Sequence, residues 1–254
     1  MKNSFGAHCD DFCVTGRLFL KLDLAPDRET VLHFFERVGR EYPSLRRMRR
    51  RNERSLVLEE GDPDDAISES RRWIRLDPQS VRFGYFEPQD RQACRRFGRF
   101  LFDQAPAHLT ISDLDIDRLD VVYSFEMEYR GNHDRLVAET LFADHPLAQF
   151  LMGDEAAHTI DCQPYFGIAL RPECDLQAYL EVKGRTSTFE LRTGEFEPQF
   201  LSVQLTVRRY WGFSRNPELS DALIELMDAA DELAVRRAIP LAVNPLAQAI
   251  ASRP

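Results

Sequence analysis

From residue 14 to residue 24 the chain alternates. Val14, Gly16, Leu18, Leu20, Leu22 and Leu24 fall on one side, and Thr15, Arg17, Phe19, Lys21 and Asp23 on the other. A period of two marks a half-buried strand. Pro26 and Asp27 then supply a turn and a helix cap, after which Val31, Phe34, Phe35 and Val38 recur at helical spacing. That helix is expected to stop before Tyr42-Pro43, because proline disfavours the helical conformation in the residue preceding it. Shorter strands are predicted at 55–59, 71–77 and 81–86, with turn chemistry at 61–65 and a hairpin at Pro78-Gln79. A second helix over 91–102 carries Cys94, Phe97 and Leu101 on one stripe, with Pro106 as its boundary.

The second half opens like the first. Val121, Tyr123, Phe125, Met127 and Tyr129 alternate with Val122, Ser124, Glu126 and Glu128, Gly131-Asn132 offers a turn and cap, and Leu136, Val137, Thr140 and Leu141 form a short helical stripe. Strands are predicted at 159–168, 176–183, 187–191 and 200–209. The last helix has Asn216 to cap it, Pro217 in its first turn, and Leu219, Leu223, Leu226, Ala230 and Leu233 to bury. Pro240 ends or kinks it.

The order of long strand, helix, several strands and helix thus occurs twice. It predicts an α+β fold: a predominantly antiparallel sheet with helices packed on one side, built from two diverged copies of a β-α-β-β-β-α unit. Residues 1–110 form the first half, 111–240 the second packed against it, and 241–254 a tail that docks on the body or on another subunit.

The 254 residues carry a formal charge of −9, which removes any bulk attraction to nucleic acid or anionic membrane. The charge is uneven: residues 1–110 hold 20 basic against 18 acidic side chains, residues 111–254 hold 13 against 24. Basic surfaces are therefore local ones, concentrated in the first half. Five cysteines at irregular spacing in a chain of this size read as free thiols, and the absence of a long apolar run argues against a membrane span. A cytoplasmic protein is expected.

Strand parity selects one candidate surface. Glu126 and Glu128 share a face of their strand, Gln177, Tyr179, Glu181 and Lys183 share a face of a later one, and Gln204, Thr206 and Arg208 share a face of the last. On neighbouring strands these would make one polar face, although an ordinary solvated sheet face with cross-strand ion pairs has the same parity. Lys183, Arg208 and Tyr179 are the candidate contacts to a phosphate-bearing ligand. Glu126 and Glu128 are candidate ligands for a divalent cation, and Glu181 a candidate base.

The second candidate is the run Arg46, Arg47, Arg49, Arg50, Arg51 and Arg54, able to meet phosphates or an acidic protein if exposed. It has no interleaved aromatics of the kind that stack on single-stranded nucleic acid. Cys9, Cys13, His158 and Cys162 form a weakly spaced zinc set, and the acidic run 113–120 lacks the glycine and closing glutamate of a calcium loop. No phosphate loop, nucleophile elbow or dinucleotide fingerprint occurs.

The leading expectation is a ligand-binding or assembly protein, self-associating as a homodimer, with Tyr210-Trp211-Gly212-Phe213 as an aromatic anchor. It is not expected to be an enzyme, and no cofactor is expected. The alternatives are a cation-dependent enzyme acting on a phosphate-containing substrate at the glutamate-bearing face, and RNA or DNA contact through the arginine run.

Overall fold

The alternating segments form one antiparallel sheet in a computed structural model that describes residues 5–24, 27–52, 54–61, 71–88, 90–153, 157–212 and 217–253. In chain order the elements are β1 (Asp11–Leu20), α1 (Arg28–Glu41), β2 (Leu45–Asn52), β3 (Ser55–Glu60), β4 (Arg71–Asp77), β5 (Ser80–Phe86), α2 (Arg91–Leu109), β6 (Ile116–Tyr129), α3 (His133–Leu141), α4 (Ala148–Met152), β7 (Tyr165–Ala169), β8 (Leu176–Lys183), α5 (Thr188–Thr193), β9 (Gln199–Tyr210), α6 (Leu219–Leu233) and α7 (Asn244–Ala251). A π-helical stretch, Ala234–Val243, joins α6 to α7.

The nine described strands run in the order β2-β3-β4-β5-β1-β6-β9-β8-β7. Each half therefore lays its strands outward from a long central one, and the halves meet where β1 pairs with β6 from Asp11↔Glu126 to Leu20↔Ile116. The proposed repeat does not hold element by element. Residues 187–191, expected as a strand, are instead the cap and first residues of α5, because Ser187 and Glu190 form a reciprocal capping box: Glu190 N–H donates to Ser187 Oγ at 3.2 Å and Ser187 N–H to Glu190 Oε2 at 2.8 Å. The capping pattern outweighs the short apolar alternation around Phe189.

One sheet face is apolar. Val14 and Leu18 of β1, Val81 and Phe83 of β5, Val121 and Phe125 of β6, and Val203 and Val207 of β9 are all buried there, under α2 and α6. Phe34 and Val38 of α1 and Phe97 and Leu101 of α2 complete the same cluster. Asp27 caps α1 by accepting from Thr30 N–H at 2.7 Å, and the helix ends at Glu41, ahead of Pro43.

Several boundaries move from their sequence positions. The first strand ends at Leu20, leaving Leu22 exposed. Pro106 lies inside α2, because Ala105 and Leu109 extend its buried stripe past the proline. The strand expected from residue 159 begins only at Tyr165. Pro240 likewise interrupts no packing: Ala238, Ile239, Ala242 and Val243 stay buried through the π-helical stretch. The tail docks on the body through buried Leu246, and α7 packs on α3. The turn at 62–65, Glu53, Phe213 and the capping Asn216 lie outside the described residues.

Close approach explains one glycine. A Cβ on Gly16 would stand 2.2 Å from the Phe83 ring, itself fully buried. Gly16→Ala is expected to lower unfolding free energy by about 1–3 kcal/mol, as overpacking of a tight core does, measured by urea denaturation. An unchanged midpoint would show that the ring has room to move.

Candidate ligand-binding surfaces

The register assembles the polar face that strand parity suggests. Arg75 of β4 faces Arg82 of β5, Arg82 faces Arg17 of β1, Arg17 faces Asp120 of β6, Asp120 faces Arg208 of β9, and Arg208 faces Gln177 of β8. These side chains form one transverse row. The next row runs Asp77, Ser80, Phe19, Arg118 and Tyr210. Glu126, Glu128, Tyr179, Glu181, Lys183 and Gln204 lie on this same face by the same registers.

Most of these charges answer one another. Arg208 grips Asp120 with two bonds of 2.8 Å, a bidentate geometry that lifts the guanidinium's proton affinity, and its plane lies 5.2 Å from the Tyr179 ring centroid. Lys183 pairs with Glu181 at 2.9 Å. Glu126 accepts from Ser202 Oγ and lies 3.8 Å from Arg185. Glu128 contributes its backbone N–H to Asp10. Among the described residues, no three or more His, Cys, Asp or Glu side chains gather as a metal-holding group.

Arg17 is less fully answered. Its Nε is buried without a hydrogen-bond partner, and burial together with the charge of Arg208 lowers its proton affinity against the pull of Asp120. Arg118 spreads over Phe19 at 3.8 Å from the ring centroid and reaches Asp117 at 2.6 Å. Arg17, Arg75, Arg82 and Arg118 carry no apolar pattern, so only strand parity, applied to the first half as to the second, would have singled them out.

The arginine run is extended backbone. It forms β2, the edge of the sheet, followed by the hairpin into β3. Arg49 holds Glu59 through bonds of 2.7 and 3.1 Å, Arg47 lies 3.8 Å from the same carboxylate, and Arg54 pairs with Asp23. An edge strand dense in charge resists pairing with another strand.

Behind this edge lies a cleft of about 720 Å³. Leu24, Val31, Leu32, Met48, Leu56, Leu76 and Pro78 give it apolar walls, and Arg28, Arg49, Arg50 and Arg54 rim it, with Asp77 the acidic lining residue. Among the described residues Arg28 and Arg50 have no ion pair. Arg28 sits in the first turn of α1, where the helix dipole disfavours a cation. A shallower hollow lined by Arg54, Ser55, Arg75, Asp77 and Arg82 shares three residues with the cleft, Arg54, Asp77 and Pro78, and leads onto the open face. Arg46 and Arg51 line neither.

The zinc set is not assembled as a metal group, and all five cysteines are free. Burial pushes the Cys9 and Cys13 thiols up to about 12 and about 11, so neither is a ready thiolate. Trp211 is buried, with its indole N–H 3.4 Å from Asp113, so it offers no exposed anchor. Among the described residues no helix is long and apolar enough to cross a membrane.

No protein-family model matches the chain, and no curated protein matches it. Among solved structures it is similar to a chain described as the di-domain ARO/CYC BexL from the BE-7585A biosynthetic pathway, at 8% identity over 79% of this chain and 77% of that one, with a TM-score of 0.17.

Asp77 anchors the strand end that both hollows share. Burial raises its carboxyl, but the Ser55 hydroxyl, the Arg75 hydrogen bond at 2.7 Å and the charges of Arg75 and Arg82 outweigh that and hold it below the ordinary carboxylate range. A carboxyl whose folded pKa lies below its unfolded one adds stability that is complete above the unfolded value and drains away as pH falls through the folded one. Asp77→Asn is therefore expected to unfold at lower denaturant than wild type at pH 7, with the gap closing as pH falls below about 4. A gap independent of pH would contradict the assignment.

Proposed function

We propose that the protein binds an amphipathic anion in the cleft between α1 and the β2–β4 strands. The apolar body of the ligand lies against Val31, Leu32, Leu56 and Leu76, and its anionic head meets Arg28, Arg50 and Arg54. The observation that carries this reading is the pair Arg28 and Arg50, guanidinium groups that have no ion pair among the described residues and stand above an apolar wall.

A cation held against its helix dipole gains when an anion arrives, and an apolar wall excludes the water that would otherwise screen the pair. Arginine suits this task because its planar fork matches a carboxylate, sulfonate or phosphate. The reading deepens the expectation of a ligand-binding protein and gives part of the arginine run a role. It assigns no catalytic step: on the open face Arg208 is committed to Asp120 and Lys183 to Glu181, so neither favours phosphate chemistry there.

Two fluorescent probes with the same kind of aromatic body separate the contributions: 1-anilinonaphthalene-8-sulfonate, which is anionic, and N-phenyl-1-naphthylamine, which is neutral. Wild type is expected to bind the sulfonate more tightly. Arg28→Ala/Arg50→Ala is expected to weaken sulfonate binding about tenfold, or roughly 1.4 kcal/mol, and to leave the neutral probe within about twofold, since neither change touches the apolar wall. Equal loss for both probes, or no loss for either, would overturn the assignment.

A further inference from the structure

The two edges of the sheet differ in kind. β2 exposes arginines, whereas β7 reads Tyr165-Phe166-Gly167-Ile168-Ala169 and has no charge at all. All five β7 residues are exposed, with Tyr165 and Phe166 each 56% accessible and Ile168 42%. An uncharged, apolar edge strand of this kind is the arrangement that natural sheets normally blunt or cover.

Its backbone polarity is fixed by β8. Val182 N–H donates to Pro164 O at 3.0 Å and Leu170 N–H to Leu176 O at 2.8 Å, so the even-numbered residues between them turn their backbone groups inward to β8. Tyr165, Gly167 and Ala169 consequently point their N–H and C=O groups outward, where they meet no other strand among the described residues.

We infer that β7 is a self-association edge, pairing antiparallel with β7 of a second copy about a two-fold axis at Gly167. In that register Tyr165 faces the partner's Ala169 and Gly167 faces the partner's Gly167, and each of these pairs exchanges both backbone hydrogen bonds. Phe166 then lies directly opposite the partner's Ile168, an aromatic and β-branched cross-strand pair of the favoured kind. No other centre along β7 pairs all five residues.

The occupant is a second copy because the segment is its own complement: outward donors and acceptors, small residues and apolar ones all match under the two-fold. The alternative within the chain, β7 against a partner's β2, is heterologous and leaves both free edges to propagate, whereas β7 against β7 closes. The β2 arginines also bar a β2–β2 contact, since like charges would stand opposite one another. The absence of charge in β7 keeps the chain's net charge of −9 from acting at the contact itself.

Sedimentation velocity tests the contact. Wild type at micromolar concentration is expected to run at twice the 29.5 kDa chain mass. Phe166→Lys/Ile168→Lys, which alters only exposed side chains, is expected to run as a monomer with an unchanged circular dichroism spectrum. A wild-type monomer, or a dimer that survives both lysines, would overturn the inference. The register has its own readout. In a Cys174→Ser background, Phe166→Cys and Ile168→Cys chains are expected to cross-link through a disulfide when mixed and oxidised, and neither is expected to do so alone. Cross-linking of either variant with itself, or none on mixing, would overturn the two-fold at Gly167.

Discussion

The pairing of β1 with β6 is the contact on which the rest of the fold depends. It is the seam between the two halves, and it sets the register by which every other strand is counted. Because a slip of one residue would turn Val14, Leu18, Val121 and Phe125 away from the helices, the buried face enforces this register strongly. Gly16 at the seam is the space into which Phe83 packs, so the same contact also couples the sheet to α2, whose Gly98 is approached by that ring and by Leu223 of α6.

Once the register is fixed, the polar face follows. Alternation makes arginines of five strands share that face, and the acids available there are taken up by some of them: Asp120 by Arg208, Asp77 by Arg75 and Arg82. Paired charges of this kind add little net field, and they leave few groups on that face to meet a ligand. What distinguishes the cleft from the open face is that apolar side chains form its walls, while Arg28 and Arg50 on its rim have no ion pair among the described residues. The proposed anion site is therefore a local one, on a chain whose net charge of −9 opposes it.

Much of this was legible in the alternation itself. The parity of Glu126, Glu128, Tyr179, Glu181, Lys183 and Arg208 placed them on a common face, because a period of two leaves a strand no other choice. The antiparallel α+β arrangement followed from the same pattern. What escaped was set by longer-range or competing effects. Ser187 and Glu190 cap a helix where apolar alternation suggested a strand. Pro106 and Pro240 sit inside helical segments because the buried stripes around them continue. The arginine run has no alternation to mark it as a strand, and its pairing with β3 is what makes it an edge. The cleft was illegible for a simpler reason: Arg28, Leu56 and Leu76 come from three elements far apart in sequence, and nothing local brings them together.

Amide hydrogen exchange with and without the anilinonaphthalene sulfonate locates the bound anion on the fold. Ligand bound in the cleft should slow exchange in the first turns of α1, around residues 48–50 and 54–56, and around residue 76, while leaving β8 and β9 unchanged. Protection centred on β8 and β9, or none anywhere at saturating probe, would rule out the cleft as the binding site.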